Sequence, residues 1–256
     1  MELNSSAYCS NIKVSFSGTV WTQNILSLII HEGHRNGTEN METMERIPWL
    51  EYNTKDRDYA DLPLVMESFN ISKTSLLIVL QVIYVTRNPK DVMVSFYHFS
   101  KYICSLEEIP DFNLFMERFL AGKVLASSWL DHVEGWCSHA EDFNILFVTY
   151  EEMKKDLRSA VLKICNFLGR KLSEEEVDSV VKQATFENMR KDPRANYENL
   201  PDDIVEKNKG SFLRKGTVGD WKNIMTVAQN ERFDKVLNEK IKTLPIKFIW
   251  DINDEI

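Results

Sequence analysis

No stretch of this sequence is long and apolar enough to cross a bilayer. Its longest apolar run, Leu76 to Val85, is interrupted by Gln81 and falls well short of the roughly 20 residues a spanning helix needs. The N-terminus, Met1-Glu2-Leu3-Asn4, lacks a basic segment followed by an apolar one, so no secretory signal is expected. Cysteine is sparse: Cys9, Cys104, Cys137 and Cys165 form neither a CxxC pair nor any metal-ligand spacing, and they read as reduced thiols. These absences together point to a cytoplasmic chain with no membrane partner and no bound metal. A basic excess is missing too. Lys and Arg number 31 against 39 Asp and Glu, a net charge of −8 that argues against a general nucleic-acid binder but leaves room for a local basic pocket. With 9 Gly, 7 Pro and no internal repeat, no Pro/Ser/Gly-rich linker divides the chain, so one domain over residues 1–256 is expected.

What is present is ordinary globular material, 43% apolar and 27% charged. Asn11 to Ser15 alternates as an extended segment, Ser17-Gly18-Thr19 punctuates it, and Trp21, Ile25, Leu28 and Ile29 then recur at helical spacing. From His31 to Met66 the pattern is polar and broken by Pro48 and Pro63, which predicts loops and short helices. Val82 to Thr86 is β-branched and aromatic and runs into Arg87-Asn88-Pro89, where Pro89 suits the first turn of a helix reaching about Tyr102. A further strand, Asn144 to Thr149, leads into a helix near Glu151, and helical periodicity fills Asn113–Cys137, Leu157–Leu168 and Glu174–Gln183. Strands alternating with helices predict an α/β fold with a central, mainly parallel sheet covered on both faces.

Three segments have the makings of a site. Ser15-Phe16-Ser17-Gly18-Thr19 lies between strand and helix, where backbone N–H groups and the helix dipole converge on one point suited to a phosphate. The same segment would also serve as a plain helix cap. Arg87 closes a strand at the sheet's carboxyl edge, the usual ligand edge of open α/β folds, and Ser95 follows on the next helix. A surface salt bridge would explain Arg87 equally well. Phe212-Leu213-Arg214-Lys215-Gly216-Thr217-Val218-Gly219-Asp220-Trp221 places two cations before a Gly-x-x-Gly turn, which suits either a fold over an anion or an exposed loop. No G-x-x-x-x-G-K-[ST] sequence and no magnesium partner is present, which argues against a kinase.

In combination these segments resemble the cytosolic sulfotransferase family, and the wording is closest to its amine branch. Ser17-Gly18-Thr19-Val20-Trp21 is similar to the end of the family's 5′-phosphosulfate loop, and Arg87 to Phe99 (RNPKDVMVSFYHF) to its 3′-phosphate motif. Phe212 to Lys222 is similar to its C-terminal nucleotide loop, and Lys222, Thr226, Val227 and Glu231 fit its short dimerisation motif. The resemblance implies a sulfotransferase fold with a P-loop-like phosphate-binding loop, 3′-phosphoadenosine 5′-phosphosulfate as co-substrate, and a homodimer. It assigns Ser17, Gly18 and Thr19 to the 5′-phosphate and sulfate. Arg87, Ser95, Arg214, Lys215 and Gly216 go to the 3′-phosphate, and Trp21, Tyr150, Thr185 and Phe186 to the adenosine. Trp21 and Phe186 taken singly also read as core.

Two departures bear on chemistry. Where the family has Tyr-Pro-Lys this chain has Val14, Ser15 and Phe16, so the cation that would stabilise the leaving oxygen is replaced by an aromatic ring. The segment Leu62 to Gln81, where the family places a catalytic histidine, contains none. His98 is the nearest substitute by sequence; His31 and His34 read as solvated, and His132 and His139 as packing partners of Trp129 and Trp136. The N-terminal region also looks shortened relative to the family. Two functional expectations remain open: sulfuryl transfer to a small amine or hydroxyl acceptor, at full or impaired rate, or a nucleotide-binding, dimerising pseudo-enzyme.

Overall fold

A computed structural model describes residues 18–35, 37–47, 81–125, 127–242 and 244–253, and the backbone alone of 10–13 and 64–67. Phe16, Ser17 and nearly all of the Leu62–Gln81 segment lie outside the described residues.

Four strands pair in parallel: β1 (Ser10–Lys13) with β2 (Leu64–Glu67), and β3 (Gln81–Thr86) with β4 (Asn144–Thr149). β1 also lies alongside β3, so the two pairs sit side by side. Burial on both faces explains why β3 is Val82-Ile83-Tyr84-Val85 without alternation. Ile83 and Val85 pack with Val148 on β4 and with α1 (Thr19–Ile30), α7 (Leu157–Phe167) and α8 (Glu174–Gln183) through Ile25, Leu28, Val161, Ile164 and Val180. Val82 and Tyr84 face the opposite way, onto Trp136.

β3 hands over to α3 (Pro89–Tyr102) through a well-defined cap. The Asn88 side chain accepts the N–H groups of Lys90 at 2.9 Å and Asp91 at 3.4 Å, and Pro89 opens the helix, as the sequence predicted. β4 hands over to α6 (Tyr150–Lys155) through a capping box between Thr149 and Glu152. α9 (Phe186–Lys191) follows α8, a single 3-10 turn spans Asp220–Asn223, and α10 (Val227–Ile241) closes a second core around Phe233 and Leu237.

Three expectations needed correction. Asn113–Cys137 is two helices, α4 (Phe112–Leu120) and α5 (Trp129–Ser138), because Gly122 and Ser127 take positive φ and Ser128 caps a new start. The stretch before Met66 contains the expected short helix, α2 (Thr43–Arg46), but ends in an unexpected strand, β2, whose partner lies far upstream in the chain. His31, expected in solvent, is half-buried at the end of α1, and burial, then Arg46, lowers its pKa. The packing role read for His132 holds: it bonds the Tyr84 hydroxyl at 2.9 Å and accepts from Trp136 Nε1 at 3.3 Å.

Candidate active site

The register of the sheet sets up the site. Thr86 pairs with Thr149, so the next residues, Arg87 and Tyr150, leave the same carboxyl edge side by side. The Arg87 guanidinium stacks over the Tyr150 ring at 4.1 Å. Arg87 Nη2 donates to the Thr217 carbonyl at 3.1 Å, while its Nε is buried with no partner among the described residues. A buried guanidinium N–H without an acceptor is costly, so an anion at this edge would be well received.

Tyr150 also receives the start of α1. Gly18 caps that helix in the left-handed region, φ 87°, and a Cβ there would lie 3.1 Å from the Tyr150 ring. Glycine is needed for both reasons. No acidic residue occupies the first turn of α1, so its positive end is not neutralised locally. Thr19 is buried. One turn in, Trp21 meets Tyr150 edge-on at 5.2 Å and donates from Nε1 to the Ala184 carbonyl at 2.7 Å. That bond ties α1 to the segment carrying Thr185, the N-cap of α9, and Phe186.

Phe186 then meets the C-terminal loop. Gly216 has φ 63°, and a Cβ on it would fall 2.3 Å from the Phe186 ring, so the ring lies directly against the loop backbone. Gly216 leads into Thr217 and back to Arg87. The contacts form a closed circuit: Arg87, Tyr150, Trp21, Ala184 to Phe186, Gly216 and Thr217. Aromatic walls suit a purine, and the cations at one end suit a phosphate. Arg214 and Lys215 flank this end and bond the Asp220 carboxylate at 2.7 and 2.8 Å. Ser95, half-buried on α3, has no hydrogen-bond partner among the described residues.

His98 sits beside the same loop. Its Nε2 is buried without a partner among the described residues; burial lowers its pKa, and the charges of Arg214, Lys101 and Lys215 add to that against Asp220. Sequence reasoning missed four polar residues that organise the site. Asp91 accepts the N–H groups of Gly219 at 2.6 Å and Trp221 at 3.0 Å. Asp220 holds the two cations; burial pushes its carboxyl up, but bonds from Lys215, Arg214 and Asn223 win and keep its pKa at about 2. Glu151 accepts the Asn88 N–H at 3.0 Å, and burial pushes its pKa up to about 7. Lys90 stands between the Trp221 and Trp250 rings, 4.5 and 4.9 Å from their centroids, and bonds Asp234 at 2.6 Å. Asp91, Lys90 and Asp220 lie inside the two quoted motifs; the partners of Asp91 and Lys90 are distant in the chain, and those of Asp220 lie nearby in an irregular loop with no regular spacing to betray them.

The sulfotransferase domain family matches residues 14–245. The chain belongs to the sulfotransferase family. Its reaction class is sulfuryl transfer. Amine sulfotransferase from Oryctolagus cuniculus is 53% identical over 253 residues, covering 93% of this chain and 82% of that one. Sulfotransferase 2B1 from Mus musculus is 39% identical, covering 93% and 72%. Among solved structures, mouse sulfotransferase SULT7A1 complexed with PAP aligns with a TM-score of 0.65 at 28% identity, covering 93% of this chain and 86% of that one. Retinol dehydratase in complex with androsterone and the inactive cofactor PAP aligns with a TM-score of 0.83 over 97% of this chain and 84% of that one, and at 22% identity it speaks for the sulfotransferase fold alone.

Proposed function

We propose that the chain moves a sulfuryl group from 3′-phosphoadenosine 5′-phosphosulfate to a small acceptor, an amine in preference to a hydroxyl. The acceptor nitrogen or oxygen attacks sulfur in line, the bond from sulfur to the bridging oxygen breaks with its electron pair going to the departing adenosine 3′,5′-bisphosphate, and the acceptor gives up its proton to solvent. Ser17, Gly18 and Thr19 hold the 5′ end. Arg87, Ser95, Arg214, Lys215 and Gly216 hold the 3′-phosphate, and Trp21, Tyr150, Thr185 and Phe186 enclose the adenosine. The observation that carries this reading is the circuit around Arg87, whose buried Nε needs an acceptor. The 53% identity to an amine sulfotransferase favours nitrogen acceptors. The pseudo-enzyme alternative finds no support in family membership. Isothermal titration tests the nucleotide assignment: the bisphosphate binds far more tightly than 5′-AMP, and equal affinities overturn it.

We further propose that the chain is one domain over 1–256, resides in the cytoplasm, and forms a two-fold homodimer through Lys222, Thr226, Val227 and Glu231. All four side chains are exposed and Val227 is 75% accessible at the start of α10, which is unusual for a valine and suits a self-complementary contact. Val227→Glu yields a monomer in sedimentation that binds the bisphosphate normally; a native chain that is monomeric at high concentration rules the contact out.

A further inference from the structure

The loop carrying Arg214 and Lys215 is held from α3 by two carboxylates in series. Asp91 lies one helical turn after Arg87 and one before Ser95, and its side chain is fully buried. Its two oxygens accept the N–H groups of Gly219 and Trp221, the residues on either side of Asp220. With both flanks fixed, Asp220 has little freedom. Its own carboxylate, 3% exposed, takes Arg214 Nη2 on one oxygen and Lys215 Nζ and Asn223 Nδ2 on the other. Arg87 Nη2 lies 4.0 Å from Asp91, and the buried Glu151 carboxyl also feels the Asp91 charge.

We propose that Asp91 and Asp220 are positioning residues for 3′-phosphate recognition: Asp91 fixes the loop to the helix that bears Arg87 and Ser95, and Asp220 aims Arg214 and Lys215. This rests on the assignment of those cations to the 3′-phosphate. The relay makes an electrostatically counterintuitive prediction. A bare acid beside a phosphate site repels the ligand, so removing its charge should tighten binding. If the acids instead orient the cations, removing either charge loosens binding, because long side chains without a fixed partner lose their geometry.

The test is titration of the full chain with adenosine 3′,5′-bisphosphate and with 5′-AMP. The native protein, Asp91→Asn, Asp220→Asn, Arg214→Ala and the Arg214→Ala/Asp220→Asn double variant are compared. Each asparagine variant is expected to bind the bisphosphate on the order of tenfold more weakly, the scale of one charge-assisted hydrogen bond. Affinity for 5′-AMP, which lacks the 3′-phosphate, and the thermal midpoint should stay near native. Asp220→Asn should add less in the Arg214→Ala background than alone, since the two act through one interaction. Unchanged or tighter bisphosphate binding by Asp220→Asn overturns the relay, as does full additivity. Loss of 5′-AMP binding together with the bisphosphate in Asp91→Asn shows that Asp91 merely supports the fold and removes it from the relay. A native chain that binds the two nucleotides equally is a different result: it defeats the 3′-phosphate assignment itself.

Discussion

The segments proposed to hold the terminal phosphate and those proposed to face the sulfuryl group differ in how much of the family pattern they keep. On the first, Arg87, Ser95, Arg214, Lys215 and Gly216 are all present; Tyr150 meets Arg87, Phe186 meets Gly216, and Asp220 bonds Arg214 and Lys215. On the second, Phe16 stands where the family has a lysine, and Leu62–Gln81 lacks a histidine. Recognition and chemistry are carried by separate segments, so one can be kept while the other changes. Binding energy held far from the reacting bond still contributes to catalysis by fixing the donor, which is why a retained phosphate grip matters on a chain with an altered loop.

The sharpest way to test that separation is to restore the cation. Phe16→Lys should raise turnover on the order of 100-fold, the scale of one preorganised charge contact at a developing anion. Bisphosphate affinity should change little, and a large change in affinity with none in turnover would show that the two sides are not separable. The converse experiment removes the grip. Arg87→Ala or Arg214→Ala should weaken bisphosphate binding by about 1.5–3 kcal/mol, as expected for a charge-assisted hydrogen bond. Isothermal titration reads this directly, and an unchanged affinity in both variants would move the 3′-phosphate elsewhere.

A further effect concerns Glu151, which joins the two strand ends through the Asn88 N–H. Glu151 is 1% exposed, and its pKa is raised by burial from 4.5 to about 7, against the Asn88 N–H and Arg87. The folded protein therefore holds a proton there that the unfolded chain releases. Its stabilising contribution is complete below pH 4.5 and is lost as pH rises through about 7. Thermal unfolding should show stability declining across that window with a slope of up to about 1.4 kcal/mol per pH unit from this group. Glu151→Gln should flatten that slope, and an identical profile in the variant would discount the buried proton.

Much of the fold was legible because its signals are local. Asn88-Pro89 announces the start of α3, and Glu174 to Gln183 was bounded by a capping box at Ser173 and Glu176. The break between α4 and α5 was hidden because Phe115, Met116 and Phe119 and then Trp129, Leu130 and Val133 feed one core, so apolar periodicity runs on across the gap. β2 was missed since its pairing depends on β1, which no local pattern reveals. Arg87, Arg214 and Tyr150 were found by motif resemblance, and spacing alone left each open. Asp91 and Asp220 escaped because their work is done on backbone N–H groups and side chains that only the folded chain brings near. Long-range polar contacts leave no period in a sequence.

The central claim is that this chain transfers sulfate while holding its donor by the 3′-phosphate, and the most direct measurement is a radiolabel assay. The purified full chain is incubated with 35S-labelled 3′-phosphoadenosine 5′-phosphosulfate and a small primary or secondary amine. Labelled sulfamate should form in proportion to enzyme and be suppressed by added adenosine 3′,5′-bisphosphate. No labelled product above the enzyme-free control, from a protein that binds the bisphosphate tightly, would contradict the account and leave a nucleotide-binding protein in its place.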